Sequence, residues 1–299
     1  MKLNRRWKKL WVCAAAGVGF GIVALWGIGS VLVAPANHPV GAPPPGLVAE
    51  NVTFPSASGS TIHGWFAAGQ RGRGAVLLMH GIHSDRRSQA ARAEWLARAG
   101  YSVLLFDFQA HGESPGKQIT FGHLESRDAT AAVHFLQQKL PGEKIGVIGV
   151  SLGAASALLA DPPLPVNALV LESSYPTLYQ ATADRLAVRF GWLGRLATPL
   201  LTCQLKPRLG VSLDDLRPIE RARTLTTPKF FISGTTDLNT PFGEAQSLFA
   251  AAAEPKQSWW VAGAAHVDMH DFAGAEYERR VLAFLAANLG RNDSVRTLE

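Results

Sequence analysis

Residues 144–160 read KIGVIGVSLGAASALLA, and the reading of this stretch decides the fold. A short apolar run ends in Gly149-Val150-Ser151-Leu152-Gly153, and an Ala- and Leu-rich run of helical composition follows at once. A serine held in so sharp a strand-to-helix turn needs small residues on both sides. A side chain at Gly149 or Gly153 would clash with the turn and block approach to Oγ. The bare G-x-S-x-G pattern is weak in a chain with 29 glycines; the strand before it and the helix after it make it informative. Ser151 is the candidate nucleophile.

Working outward, runs of the same type recur at 75–79 (AVLLM), 102–106 (SVLLF), 167–171 (NALVL), 228–233 (PKFFIS) and 257–261 (QSWWV). Helix-like stretches lie between them at 86–99, 124–139, 152–160, 243–253 and 271–288. Strands buried on both faces read as continuous apolar runs, so the alternation predicts a mostly parallel sheet with helices on each side, an α/β fold. Residues 50–67 alternate apolar and polar around a Ser/Gly turn, which predicts an antiparallel hairpin. About fifty residues, 173–226, interrupt the rhythm, more than a simple crossover needs. Trp192, Leu193, Leu196, Leu200 and Leu201 fall there at helical spacing, which suits a helical cap over the site or a pair of ordinary packed helices.

A serine hydroxyl is a poor nucleophile at neutral pH and needs a general base. His266 is the candidate, because it follows the strand-like SWWV where a last strand delivers a loop to the top of the sheet. The base needs a carboxylate to hold its tautomer. Asp237 in Ser233-Gly234-Thr235-Thr236-Asp237 fits that role, and Glu172 after NALVL is the rival. Asp107 precedes the nucleophile in sequence and reads as a loop organiser, and His270 reads as a surface or packing residue. After AVLLM comes His80-Gly81-Ile82-His83, where a turn at Gly81 can bring the Ile82 backbone N–H beside that of Leu152. Two such donors would stabilise an oxyanion. His80 and His83 are spaced like metal ligands but lack a further ligand cluster, so no metal is expected.

These landmarks resemble the α/β-hydrolase superfamily, in particular its serine aminopeptidase-like and esterase-like members that carry an N-terminal membrane anchor. His80-Gly81, DFQAHGESPG, GVSLG, GTTD and GAAH occur in family order across nearly all of 50–289. The resemblance implies a Ser151, Asp237, His266 triad and cleavage of an ester, thioester or amide through an acyl-enzyme, with no cofactor. Acyl transfer would use the same residues. A catalytically silent scaffold that binds a partner is the reading from another class. A small or lipid-like acyl compound is the expected substrate.

Residues 10–34 form an uncharged, largely apolar stretch long enough to cross a bilayer as a helix. Lys2, Arg5, Arg6, Lys8 and Lys9 in the tail 1–9 favour a cytoplasmic N-terminus with the catalytic domain on the other side. A cleaved signal is the alternative, although the apolar run is longer than such signals carry. Residues 35–49 are Pro-rich and read as an extended spacer holding the domain, 50–289, off the bilayer, and 290–299 read as a tail. The tail residues at 1–9 supply five of the net charge of +6, which leaves the domain near neutral and argues against nucleic-acid binding. Of the two cysteines, Cys13 falls in the apolar stretch and Cys203 is expected to be a buried structural thiol.

Overall fold

The computed structural model describes residues 5–290, so residues 1–4 and all but the first residue of the expected tail at 290–299 lie outside the described part. Helix α1 spans Arg5–Leu32, and a short strand β1 (Ala36–Asn37) follows. The domain then runs β2 (Glu50–Pro55), β3 (Thr61–Ala67), β4 (Ala75–Met79), α2 (Ala90–Arg98), β5 (Ser102–Phe106), β6 (His111–Gly112), α3 (Glu125–Lys139), β7 (Ile145–Val150) and α4 (Leu152–Leu159). After β8 (Ala168–Glu172) come α5 (Leu178–Phe190), α6 (Trp192–Thr202), α7 (Leu205–Leu209) and α8 (Pro218–Ala222). The chain ends with β9 (Lys229–Gly234), α9 (Phe242–Ala251), β10 (Lys256–Val261) and α10 (Met269–Leu289).

Eight strands form one sheet in the order β2-β3-β5-β4-β7-β8-β9-β10. β3 is antiparallel to both β2 and β5, and all other neighbours are parallel. The continuous apolar runs are the buried central strands: every residue of β4, β5 and β8 is buried. Side chains of α3, α4 and α9 fill one face, including Val133, Leu136, Leu158 and Leu248. Those of α2 and α10 fill the other, including Leu96, Tyr277, Val281 and Leu285.

β4 lies between β5 and β7, so the sheet grows in opposite directions from it and a crevice opens at the carboxyl ends of β4 and β7. His80 to Ile82 leave β4 there, and Ser151 leaves β7. The insertion between β8 and β9 holds α5 to α8: α5 reaches over Ser151 through Arg185 and forms a helical cap with α6 and α7, whereas α8 packs into the core through Ile219 and Ala222.

Two expectations are corrected. The Pro-rich stretch 35–49 is not a free spacer, because its backbone groups pair with the domain. Ala36 N donates to Ala110 O at 2.7 Å and His38 N to Gly112 O at 2.9 Å, β1 pairs with β6, and Val40 and Leu47 are buried in the core. Cys203 is exposed rather than buried, since it caps the C-terminal end of α6 on that helix's outward side.

Candidate active site

Ser151 occupies the single residue between β7 and α4 at φ 51° and ψ −104°, a conformation that non-glycine residues rarely adopt and that the surrounding packing must hold. Its N–H donates to Glu172 O at 2.9 Å, and its carbonyl accepts from Ala155 N at 2.9 Å. A Cβ on Gly149 would lie 2.6 Å from Ala154 N, and one on Gly153 would lie 2.5 Å from Met79 O. The expected need for glycine at both positions therefore has a steric cause. Gly81 differs: a Cβ there would make ordinary contact with Ser151 Cβ at 3.9 Å, so Gly81 marks how closely the β4 loop approaches the nucleophile. Among the described residues, neither the Ile82 nor the Leu152 backbone N–H is bonded to a backbone acceptor.

The base and acid candidates meet because β9 and β10 are parallel neighbours, with Gly234 opposite Val261. Their loops leave the sheet side by side, and a Cβ on Gly234 would collide with Ala264, so this glycine lets the loops close. His266 Nδ1 lies 2.7 Å from Asp237 Oδ2. Asp237 also accepts from Asn239 N at 2.8 Å, Thr240 N at 2.9 Å and Thr240 Oγ1 at 2.6 Å. Burial alone would push its carboxyl up, but His266 and Thr240 outweigh that and hold it below the usual carboxylate value. An ionised Asp237 accepts the Nδ1 proton and leaves Nε2 of His266 as the basic atom.

Glu172, the rival acid, is engaged elsewhere. It accepts from Arg92 Nη2 at 2.7 Å and Tyr277 Oη at 2.5 Å, and burial pushes its carboxyl up against the pull of Arg92. Asp107 organises its loop, accepting from the backbone N–H groups of Arg86 at 2.7 Å and Glu113 at 2.9 Å and pairing with the Arg86 guanidinium. His80 accepts from Phe108 N through Nε2 at 3.1 Å and donates from Nδ1 to Gly81 O at 2.7 Å, so both ring nitrogens are used within the fold. Burial pulls its pKa down to about 4 and keeps it neutral. His270 stacks on Trp95 and bonds Glu278 at 2.9 Å. Asp268 beside it caps α10 and pairs with Arg92 at 2.5 Å.

One residue carried no sequence signal. Arg185 of α5 in the cap places Nη2 3.5 Å from Ser151 Oγ. Its other guanidinium nitrogen donates to Ala181 O at 3.1 Å, and no carboxylate among the described residues forms an ion pair with it. The cap leaves Ser151 only 4% exposed. No hydrogen bond joins Ser151 to His266 in this arrangement, and such bonds in unliganded sites commonly tighten only when substrate binds. A second cap contact joins the carboxyl groups of Asp184 on α5 and Glu244 on α9. Burial and the neighbouring Asp184 push Glu244 up to about 7.

The family model described as serine aminopeptidase, S33, matches residues 70–215. An uncharacterized protein of Mycobacterium tuberculosis, Rv2307c, is 33% identical over 222 residues, 73% of this chain and 72% of that one. The uncharacterized protein YfhR of Salmonella typhi is 26% identical over 242 residues, 74% of this chain and 75% of its own. Among solved structures, the Pyrococcus furiosus esterase Pf2001 superposes with a TM-score of 0.71 at 26% identity, covering 87% of this chain and 99% of that one. The α/β hydrolase GrgF of Penicillium shares the fold at a TM-score of 0.63 and 21% identity, covering 81% of this chain and 99% of its own. The family match and the superposition on an esterase at 26% identity agree with each other, and the chain belongs to the α/β-hydrolase superfamily.

Proposed function

We propose that the chain is a membrane-anchored serine hydrolase that cleaves an acyl bond, an ester before a thioester or amide, through an acyl-enzyme on Ser151. The observation that carries this reading is the 2.7 Å pairing of His266 Nδ1 with a buried, ionised Asp237 on the loop that follows β9. Similarity to an esterase at 26% identity supports the ester.

In this mechanism substrate draws Arg185 off Ser151, and Oγ comes within reach of His266 Nε2. Oγ attacks the carbonyl carbon while its proton passes to Nε2. The Ile82 and Leu152 N–H groups, both without a backbone acceptor and the latter at the positive end of α4, stabilise the oxyanion. The imidazolium protonates the leaving alcohol as the tetrahedral intermediate collapses. Water then gives its proton to Nε2, attacks the acyl-enzyme and releases the acid. An alcohol or amine that outcompetes water at this step would make the protein an acyltransferase.

The 28-residue α1 is long and apolar enough to cross a bilayer, and we assign it as an uncleaved anchor. A fluorophosphonate probe should label the full chain in detergent or nanodiscs, and Ser151→Ala should abolish labelling. An ester and thioester panel of graded acyl length then ranks the bonds. No labelling of the folded protein would overturn the hydrolase reading in favour of a silent scaffold.

A further inference from the structure

Helix α6 turns an apolar face the wrong way for a protein surrounded by water. Gly194, Thr198, Leu201 and Thr202 face inward, whereas Trp192, Leu193, Leu196 and Leu200 point outward beside Phe190 at the end of α5. Trp192 is 71% exposed and Leu196 64% exposed. Single exposed apolar residues are ordinary, but five large ones on adjoining turns form a patch that marks an interaction surface.

The neighbourhood of the patch identifies its occupant. The C-terminal end of α6 and the following α7 lie directly against α1. Gln204 Nε2 donates to Leu25 O at 3.1 Å, and Arg208 Nη1 donates to Ser30 Oγ at 2.9 Å. The Arg208 guanidinium also bonds Trp26 O and sits 3.8 Å above the Trp26 ring. A Cβ on Gly29 would collide with Gln204 and Arg208, so glycine permits this close approach. An arginine stacked on a tryptophan near the end of an apolar span is the arrangement expected at the headgroup level.

There is also no slack between span and domain. Val33 O accepts from Ile119 N at 2.9 Å one residue after α1 ends, and β1 then joins the domain. The domain therefore rests on the end of α1, cap side against it. Apart from Arg185, which turns toward Ser151, the helices α5 to α7 contribute Arg189, Arg195, Lys206 and Arg208 against one acidic residue, Asp184, a balance that suits anionic headgroups.

We propose that the outward face of α6, with Phe190, is a second membrane contact that lies within the headgroup and upper acyl region of the bilayer into which α1 inserts. The cap is then an interfacial device, and the substrate class is a lipid ester presented at the bilayer surface. The inference rests on the reading of α1 as an anchor and deepens the proposed hydrolase activity.

The test uses the full chain in nanodiscs containing anionic phospholipid, with Cys13→Ala and Cys203→Ser removing the native thiols. Single spin labels are placed at Leu196→Cys on the face, at Glu254→Cys on the exposed β9–β10 side and at Val23→Cys within α1. The label at 196 should be more accessible to oxygen than to a water-soluble nickel chelate, as at 23, and the label at 254 should show the reverse. Leu196→Glu with Leu200→Glu should lower turnover of vesicle-borne ester at least tenfold while turnover of a short soluble ester stays unchanged. A label at 196 that is as nickel-accessible as the one at 254 overturns the proposal, as does shielding from both reagents, which would mean a second copy or another protein covers the face. An aqueous label at 23 would show that the anchor reading itself has failed, and loss of soluble-ester turnover in the unmutated chain would show the same for the hydrolase reading.

Discussion

Glu172 gives its carboxylate to Arg92 at 2.7 Å, Arg92 in turn pairs with Asp268, and the Arg92 and Glu172 side chains are almost wholly buried. The two acids that follow parallel strands thus do different work. Asp237→Asn should fold normally and lower the acylation rate by about 10⁴, because the imidazole loses its tautomer and its counter-charge. Glu172→Gln should acylate at nearly the original rate but unfold more easily, since removing one partner of a buried pair costs about 3–5 kcal/mol. Burst kinetics with an activated ester and thermal unfolding of both variants check this; the opposite ranking of the two acylation rates would move the acid role to Glu172.

The glycines around the nucleophile should not be equivalent. Gly153→Ala drives a Cβ against the backbone carbonyl of Met79, which cannot move without shifting β4. Overpacking of this kind costs about 1–3 kcal/mol and should also misplace Ser151. Gly81→Ala meets only ordinary contacts and should lose far less stability. Denaturant midpoints together with fluorophosphonate labelling rates separate the two.

Arg185 places a guanidinium that forms no ion pair among the described residues 3.5 Å from the nucleophile, so an acyl substrate carrying a carboxylate or phosphate close to the scissile bond should be preferred over its neutral isostere. Arg185→Gln should reduce kcat/KM for the anionic member of such a pair at least tenfold and leave the neutral member within a few-fold. Equal losses on both would reduce Arg185 to a packing residue of the cap.

The cap's second contact predicts a pH dependence. Asp184 Oδ2 and Glu244 Oε2 are buried and have no donor among the described residues until one carboxyl carries a proton. Arg195, Arg185 and Asp237 are the charged groups that act on Asp184. Because Glu244 is raised from 4.5 to about 7 in the folded protein, the stabilisation is fully present below the ordinary carboxyl value and is lost as pH rises through about 7. The protection of α5 amides relative to their intrinsic exchange rates should fall as pH rises from 5 to 8, and Glu244→Gln should flatten that fall. An unaltered profile in the variant would assign it to other groups.

If α1 remains uncleaved, a reporter fused after Glu299 should be active outside the cytoplasm, the orientation that the basic tail favours. Cytoplasmic reporter activity would reverse the orientation, and a soluble shortened product would indicate cleavage.

Much of the fold was legible because its signals are local. Fully buried strands must be continuous apolar runs, and β4, β5, β7 and β8 were each found within one residue of their place. The Ser151 turn announces itself through glycines whose absent side chains are needed within five residues of chain. What lies between distant segments was decided only by the tertiary structure. Asp237 is preferred to Glu172 in sequence only for its Gly-containing turn; the adjacency of β9 to β10 brings it to His266, while Glu172 at the end of β8 pairs with Arg92. Residues 35–49 look like a linker because prolines lack periodicity, yet their few free amides find acceptors at Ala110 and Gly112, some seventy residues onward. Arg185 sits in an unremarkable helical stretch, and its place above Ser151 comes from how the cap docks. Local sequence specifies backbone conformation and burial pattern; which side chains meet across a sheet edge or beneath a cap depends on packing between segments that no short pattern encodes.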